Sequence, residues 1–98
     1  MKLHVKFDAN TIKVDEIISG DTAEAVVGAM QARVAKELGL ILGAVVRNMS
    51  PLQFAQEATR RYNAASGDTA PVPQSCQQFL QYGVSKGFAT VLEGGNGL

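Results

Sequence analysis

Between Asp21 and Asn48 the chain keeps one helical phase for a long set of apolar side chains: Ala23, Val27, Met30, Val34, Leu38, Ile41 and Val45. At about 100° per residue these fall within an arc of about 80°. A chain that commits so long a stretch to one amphipathic element has to build its core against it. A second arc of about the same width carries only small residues, Gly28, Ala32, Ala35, Gly39 and Gly43, along which another backbone can pass unusually close. The unbroken phase predicts a single helix to about Asn48. Interior glycines cost about 1 kcal/mol each relative to alanine, so a break, if there is one, belongs near Gly39.

The small-residue stripe fits first a close crossing inside the monomer and, second, a contact between two copies of the chain, and the two are not exclusive. Leu40, Leu42 and Val46 make the C-terminal half apolar nearly all round, which lets one face meet a sheet and another a second chain. Arg33, Lys36, Glu37 and Arg47 bracket the apolar run from Leu38 to Val46. That leaves about ten residues where a bilayer needs about 20, so the run reads as a buried helix half and not as a membrane span.

On the N-terminal side, Leu3, Val5 and Phe7 alternate with Lys2, His4 and Lys6, the period of a strand with one wet face. Asp8-Ala9-Asn10 supplies turn formers, and Thr11-Ile12-Lys13-Val14 resumes the alternation toward Ile18, which predicts a hairpin. Asp21 and Glu24 form a capping-box pattern, with Asp21 or Thr22 as the cap. Ser50-Pro51-Leu52-Gln53 opens a second helix that buries Leu52, Phe54, Ala55, Ala58 and Tyr62 and ends near Ala64. Residues 66–73 carry glycine and prolines suited to an ordered or polyproline-like connection. Ser75 and Gln78 open a third helix with Cys76, Phe79, Leu80 and Val84 inward and Gly87 at its end. A last strand follows at 88–92.

The order β-β-α-α-α-β predicts an α+β fold in which a small three-stranded sheet, the N-terminal hairpin plus the C-terminal strand, packs on three helices. Residues 1–93 form a single domain, and Gly94-Gly95-Asn96-Gly97-Leu98 reads as a flexible tail.

Chemistry is sparse. His4 sits with Lys2 and Lys6 on the wet face of a terminal strand, a surface position more than a catalytic one. Cys76 is the only cysteine, which excludes an internal disulfide and a multi-cysteine metal site, suits a reducing compartment, and places a small hydrophobe on an apolar face. The acidic residues Asp8, Asp15 and Glu16 lack calcium-loop spacing, because Ile12 stands where an oxygen ligand is needed. The glycine-rich end precedes no helix and offers nothing to a phosphate. Nine basic residues balance nine acidic ones, against the basic excess of nucleic-acid-binding domains. No catalytic, metal or cofactor site is therefore expected.

These features predict a non-enzymatic cytoplasmic domain that acts through protein–protein association, as a homo-oligomer or with another protein, with no membrane and no nucleic-acid partner. The stripe Gly28, Ala32, Ala35, Gly39 and Gly43 is its candidate interface. One alternative is a DNA-associated regulatory protein using the face of Gln77, Gln78, Gln81 and Ser85, since glutamine reads adenine edges. The other is a small ligand-binding protein or enzyme whose pocket forms between subunits and gathers His4, Asp15 or Tyr82.

Overall fold

A computed structural model describes residues 1–9 and 12–98. Strands β1 (Lys2–Ala9) and β2 (Ile12–Ser19) run antiparallel, with Leu3 opposite Ile18, Val5 opposite Glu16 and Phe7 opposite Val14. The two-residue period sends Leu3, Val5, Val14 and Ile18 into the core and leaves Lys6, Asp15 and Ile17 on an open face. Asp8 and Ala9 continue β1 where a turn was expected, and Asn10 and Thr11, named for that turn and the next strand, lie outside the described residues.

Three helices follow, α1 (Ala23–Arg47), α2 (Pro51–Ser66) and α3 (Cys76–Ser85), and then β3 (Ala89–Glu93). Strand β3 pairs antiparallel with β1, Val91 opposite Leu3 and Ala89 opposite Val5, in the sheet order β2-β1-β3. The protein is thus an α+β fold with a small open antiparallel sheet, as the alternation and capping signals predict.

The caps show how the sequence sets these boundaries. Ser50 Oγ accepts from the Gln53 N–H at 3.1 Å while Gln53 Oε1 accepts from the Ser50 N–H at 2.9 Å, a complete capping box. Ser75 Oγ likewise accepts from the Gln78 N–H, but the Gln78 side chain turns to the Gln74 N–H. On α1 the cap is Thr22, which accepts from the Ala25 N–H, so Glu24 sits one position short of the expected box. Helix α2 runs to Ser66, beyond the expected end near Ala64, because the left-handed turn that closes it needs a glycine and Gly67 supplies it with φ 75°.

The main departure from expectation is in α1. Gly39 has φ 83° and ψ −168°, a backbone state essentially reserved for glycine, and it splits the helix into limbs 23–38 and 40–47. The second limb folds back along the first. Gln31 Nε2 donates to the carbonyls of Val46 at 2.7 Å and Met49 at 2.8 Å, groups that would lie more than about 20 Å away along a continuous helix. A straight helix through 47 would also reach about 37 Å, longer than the 35 Å greatest extent of the molecule.

The core gathers Leu3 from β1, Val26 and Val27 from the first limb, Phe54 and Ala55 from α2, and Cys76 and Leu80 from α3 into one cluster. Phe7, Phe88, Tyr62 and Tyr82 form a run of edge-to-face rings, with Phe88 centred 5.4 Å from both Phe7 and Tyr62. The connection between α2 and α3 is held to α2. Asn63 donates to the Ala70 carbonyl and accepts from the Ala70 N–H, and Gln56 donates to the Pro73 carbonyl. Residues 94–98, expected to fray, turn back onto α3, where Gln77 and Gln81 donate to the Gly97 carbonyl and Leu98 packs against the core. Among the described residues no helix is long and apolar enough to cross a membrane.

Candidate functional site: the hinge and outer face of α1

Breaking α1 at Gly39 turns an apolar segment outward. Leu40 is 89% exposed, Ile41 82%, Leu42 59% and Val45 54%, all within the short second limb. The expectation of a buried helix half is corrected here for a geometric reason. The limb presses Gly43 against the first limb and half-buries Val46, while Leu40, Ile41, Leu42 and Val45 stay largely outside that contact. Apolar residues grouped this densely on a surface mark an association site or an aggregation liability, whereas isolated ones mark neither.

The small-residue stripe is divided by the same break. A Cβ placed on Gly43 would sit 2.4 Å from the Ala35 carbonyl oxygen, so Ala35 and Gly43 are where the two limbs touch. Gly28 faces Pro51, whose Cγ lies 3.9 Å from the position a Cβ would take. Ala32 is exposed, and Gly39 is itself the hinge, with open space beside it. In the folded chain, then, the stripe is a contact inside the molecule at Ala35 and Gly43 and not one continuous strip.

Charges rim the patch. Arg33 bridges Glu37 on its own helix and Glu16 on β2, and these two carboxylates, Glu16 first, hold its guanidinium above its ordinary range. That bridge also accounts for an acidic residue at an inward register position on β2. Lys36 and Arg47 are exposed on either side of the hinge.

Elsewhere the candidate residues come together only in part. His4 Nε2 and Asp15 Oδ1 are 2.6 Å apart on the open face of the sheet, and the hydrogen bond with His4 lowers the Asp15 carboxyl below its usual range. Both side chains of the pair are open to solvent. Tyr82 belongs to a separate cluster, where its hydroxyl donates to Asp68 Oδ2 at 2.9 Å and Lys86 Nζ approaches the same oxygen at 2.9 Å. Lys86, then Tyr82 and the Thr69 N–H, hold the Asp68 carboxyl down at about 2. Desolvation first, then Asp68, pushes the Tyr82 phenol up. This arrangement ties the connection before α3 to that helix. Beside it runs an open cleft of about 500 Å³ lined by Pro71, Pro73, Phe79, Gln78 and Tyr82 among others. Among the described residues no group of three or more His, Cys, Asp or Glu is placed to hold a metal ion.

The glutamine face is largely engaged by the chain itself, since Gln77 and Gln81 hold the C-terminal turn and the Gln78 side chain accepts from the Gln74 N–H. Cys76 is buried, and burial, followed by the charge of Glu24, pushes its thiol up. A thiolate is the reactive form, so a thiol reagent is expected to modify native Cys76 at least about tenfold more slowly than in the unfolded chain. Equal rates, followed by mass spectrometry, would place the sulfur at the surface.

Comparison with protein-family models, curated protein sequences and solved structures gives no match to this chain.

Proposed function

We propose that this protein is a non-enzymatic association domain that binds a second copy of itself through the outer face of the second limb of α1. The carrying observation is the exposure of Leu40, Ile41, Leu42 and Val45 side by side next to the hinge. Fully burying an aliphatic side chain of this kind contributes about 1.5–3 kcal/mol. Four of them supply a driving force of several kcal/mol for association and a matching penalty for staying bare. The balance of nine basic and nine acidic residues removes net repulsion between copies. A free buried thiol is compatible with a reducing, cytoplasmic setting.

Both alternative readings find less to stand on. A DNA reader would need Gln77 and Gln81 to release the C-terminal turn before they met a base. An enzyme built on His4 and Asp15 would need a nucleophile and a water-excluding pocket at a pair whose side chains are 41% and 64% exposed.

Light scattering over a range of concentrations tests the reading, with the double variant Leu40→Glu, Ile41→Glu as its partner. The native chain is expected to show a dimer or larger species at micromolar concentration. The variant, charged at positions that face solvent within the monomer, should keep its circular dichroism and fall to monomer mass. Identical masses for the two proteins would refute this surface as the interface.

A further inference from the structure

We infer that the second copy associates by exchange: α1 straightens at Gly39, and each chain places everything beyond its hinge onto the N-terminal half of the other. The inference rests on the self-association reading above and adds its mechanism. Three observations carry it.

The first is the reversal itself. The two limbs are joined through Gly39 alone, with no loop between them and a backbone state that a side chain would strain. Short hinges of this kind, with no loop to span the reversal, favour opening and exchange over closure within one chain.

The second is the apolar phase. Ala23, Val27, Met30, Val34, Leu38, Ile41 and Val45 lie on one line only if the helix is straight. In the folded-back form the limbs point in opposite directions, and a phase shared across Gly39 organises nothing. Its persistence fits a second state in which α1 is continuous.

The third is the symmetry of the contact. Ala35 and Gly43 stand equally far on either side of Gly39, and they are the residues whose backbones meet. Two straightened helices crossing antiparallel, with a two-fold axis at Gly39, remake the same approach between Ala35 of one copy and Gly43 of the other. The bonds from Gln31 to the Val46 and Met49 carbonyls are remade in the same way. So is the pairing of β3 with β1. The native contacts away from the hinge are kept, and new contacts arise along the straightened helix beside Gly39, where Leu40, Ile41, Leu42 and Val45 stand exposed.

The decisive measurement is isotope-filtered NMR on a dimer refolded from labelled and unlabelled chains. In an exchanged dimer the Leu3–Val91 contact across β1 and β3 runs between chains. A dimer in which that contact stays within one chain overturns exchange and leaves self-association standing, whereas a chain that is monomeric at every concentration overturns both. Gly39→Ala gives an independent reading, because alanine is strained in the reversal and favoured in a straight helix. Exchange predicts an association constant raised by about tenfold or more. A Gly39→Ala dimer that is weakened or unchanged counts against it. If that variant fails to fold, inserting Gly-Ser-Gly after Gly39, which relaxes the reversal, is the substitute. The insertion is expected to give a folded monomer, and an undiminished dimer would refute the exchange.

Discussion

Replacing Gly43 with leucine is expected to lower the stability of the fold by about 3 kcal/mol or more, at or beyond the upper end of overpacking in a formed core. Even a single carbon at this position would lie 2.4 Å from the Ala35 carbonyl oxygen and 3.2 Å from Arg47 Nη1. The arginine can swing away, but the carbonyl belongs to a helix backbone and yields only if the two limbs part. Parting them removes both bonds from Gln31 as well. The penalty falls equally on the closed chain and on an exchanged pair, since either brings the two backbones together. Gly28 is the internal control, because a Cβ there meets only Pro51 Cγ at 3.9 Å. Gly28→Ala should be neutral or stabilising by up to about 1 kcal/mol, through better helix propensity. Denaturant midpoints decide the matter, and a Gly43→Leu midpoint equal to that of the native chain would mean that the limbs do not touch.

These two glycines show why the break in α1 was hard to read in the sequence. An arc calculation assumes a straight axis, and Gly28, Ala32, Ala35, Gly39 and Gly43 line up on it whether or not the chain turns. Gly39 weakens the helix by only about 1 kcal/mol, which marks the place of a break and does not decide that one occurs. The decision comes from partners far away in sequence. Gln31 reaches Val46 and Met49, and nothing in the neighbourhood of a glutamine on a helix announces two carbonyl partners so far along the chain. For the same reason the sequence leaves the outer face of the limb undecided. A helix apolar nearly all round is equally consistent with complete burial and with a bare side, and only the tertiary arrangement separates the two.

Local signals fared better because their physics is local. Alternation fixed which side of β1 is buried, since register by one residue exchanges the faces. Ser50 and Ser75 announced α2 and α3 because a side-chain oxygen satisfies backbone N–H groups within a few residues of itself. That the last strand joins the hairpin follows from the need of a lone strand for partners, while the choice of β1 as its neighbour is set by the tertiary arrangement. Where two local signals competed at the start of α1, geometry chose Thr22 over the acidic pattern of Asp21 and Glu24. Glu16 was legible as charge but not as structure, because its inward position makes sense only once Arg33 arrives from α1.

Gln31→Glu is expected to be the most damaging nearly isosteric change in the protein at neutral pH, with a loss of about 3 kcal/mol or more. Gln31 is buried, and its amide nitrogen donates to two carbonyl oxygens, of Val46 at 2.7 Å and of Met49 at 2.8 Å. A carboxylate in its place brings only acceptors and a negative charge to face two acceptors. Removing the donors without adding the charge, as in Gln31→Met, should cost about 1–3 kcal/mol, because the carbonyls lose a partner while the packing is roughly kept. The difference between the two variants isolates the charge. It also has a definite sign in pH. Burial and the facing carbonyls disfavour the ionised form, so the new carboxyl has a higher pKa in the folded chain than in the unfolded one. The unfolded chain then binds fewer protons than the folded chain between the two pKa values, and stability rises as pH falls through that window. Protonation turns the carboxyl into a donor for one of the two carbonyls, which restores part of what was lost. Relative to Gln31→Met measured under the same conditions, Gln31→Glu should therefore be the less stable at pH 7 and should recover toward it near pH 5. Equal midpoints at pH 7, or a gap that widens on acidification, would mean that the group at position 31 does not hold the two limbs of α1 together.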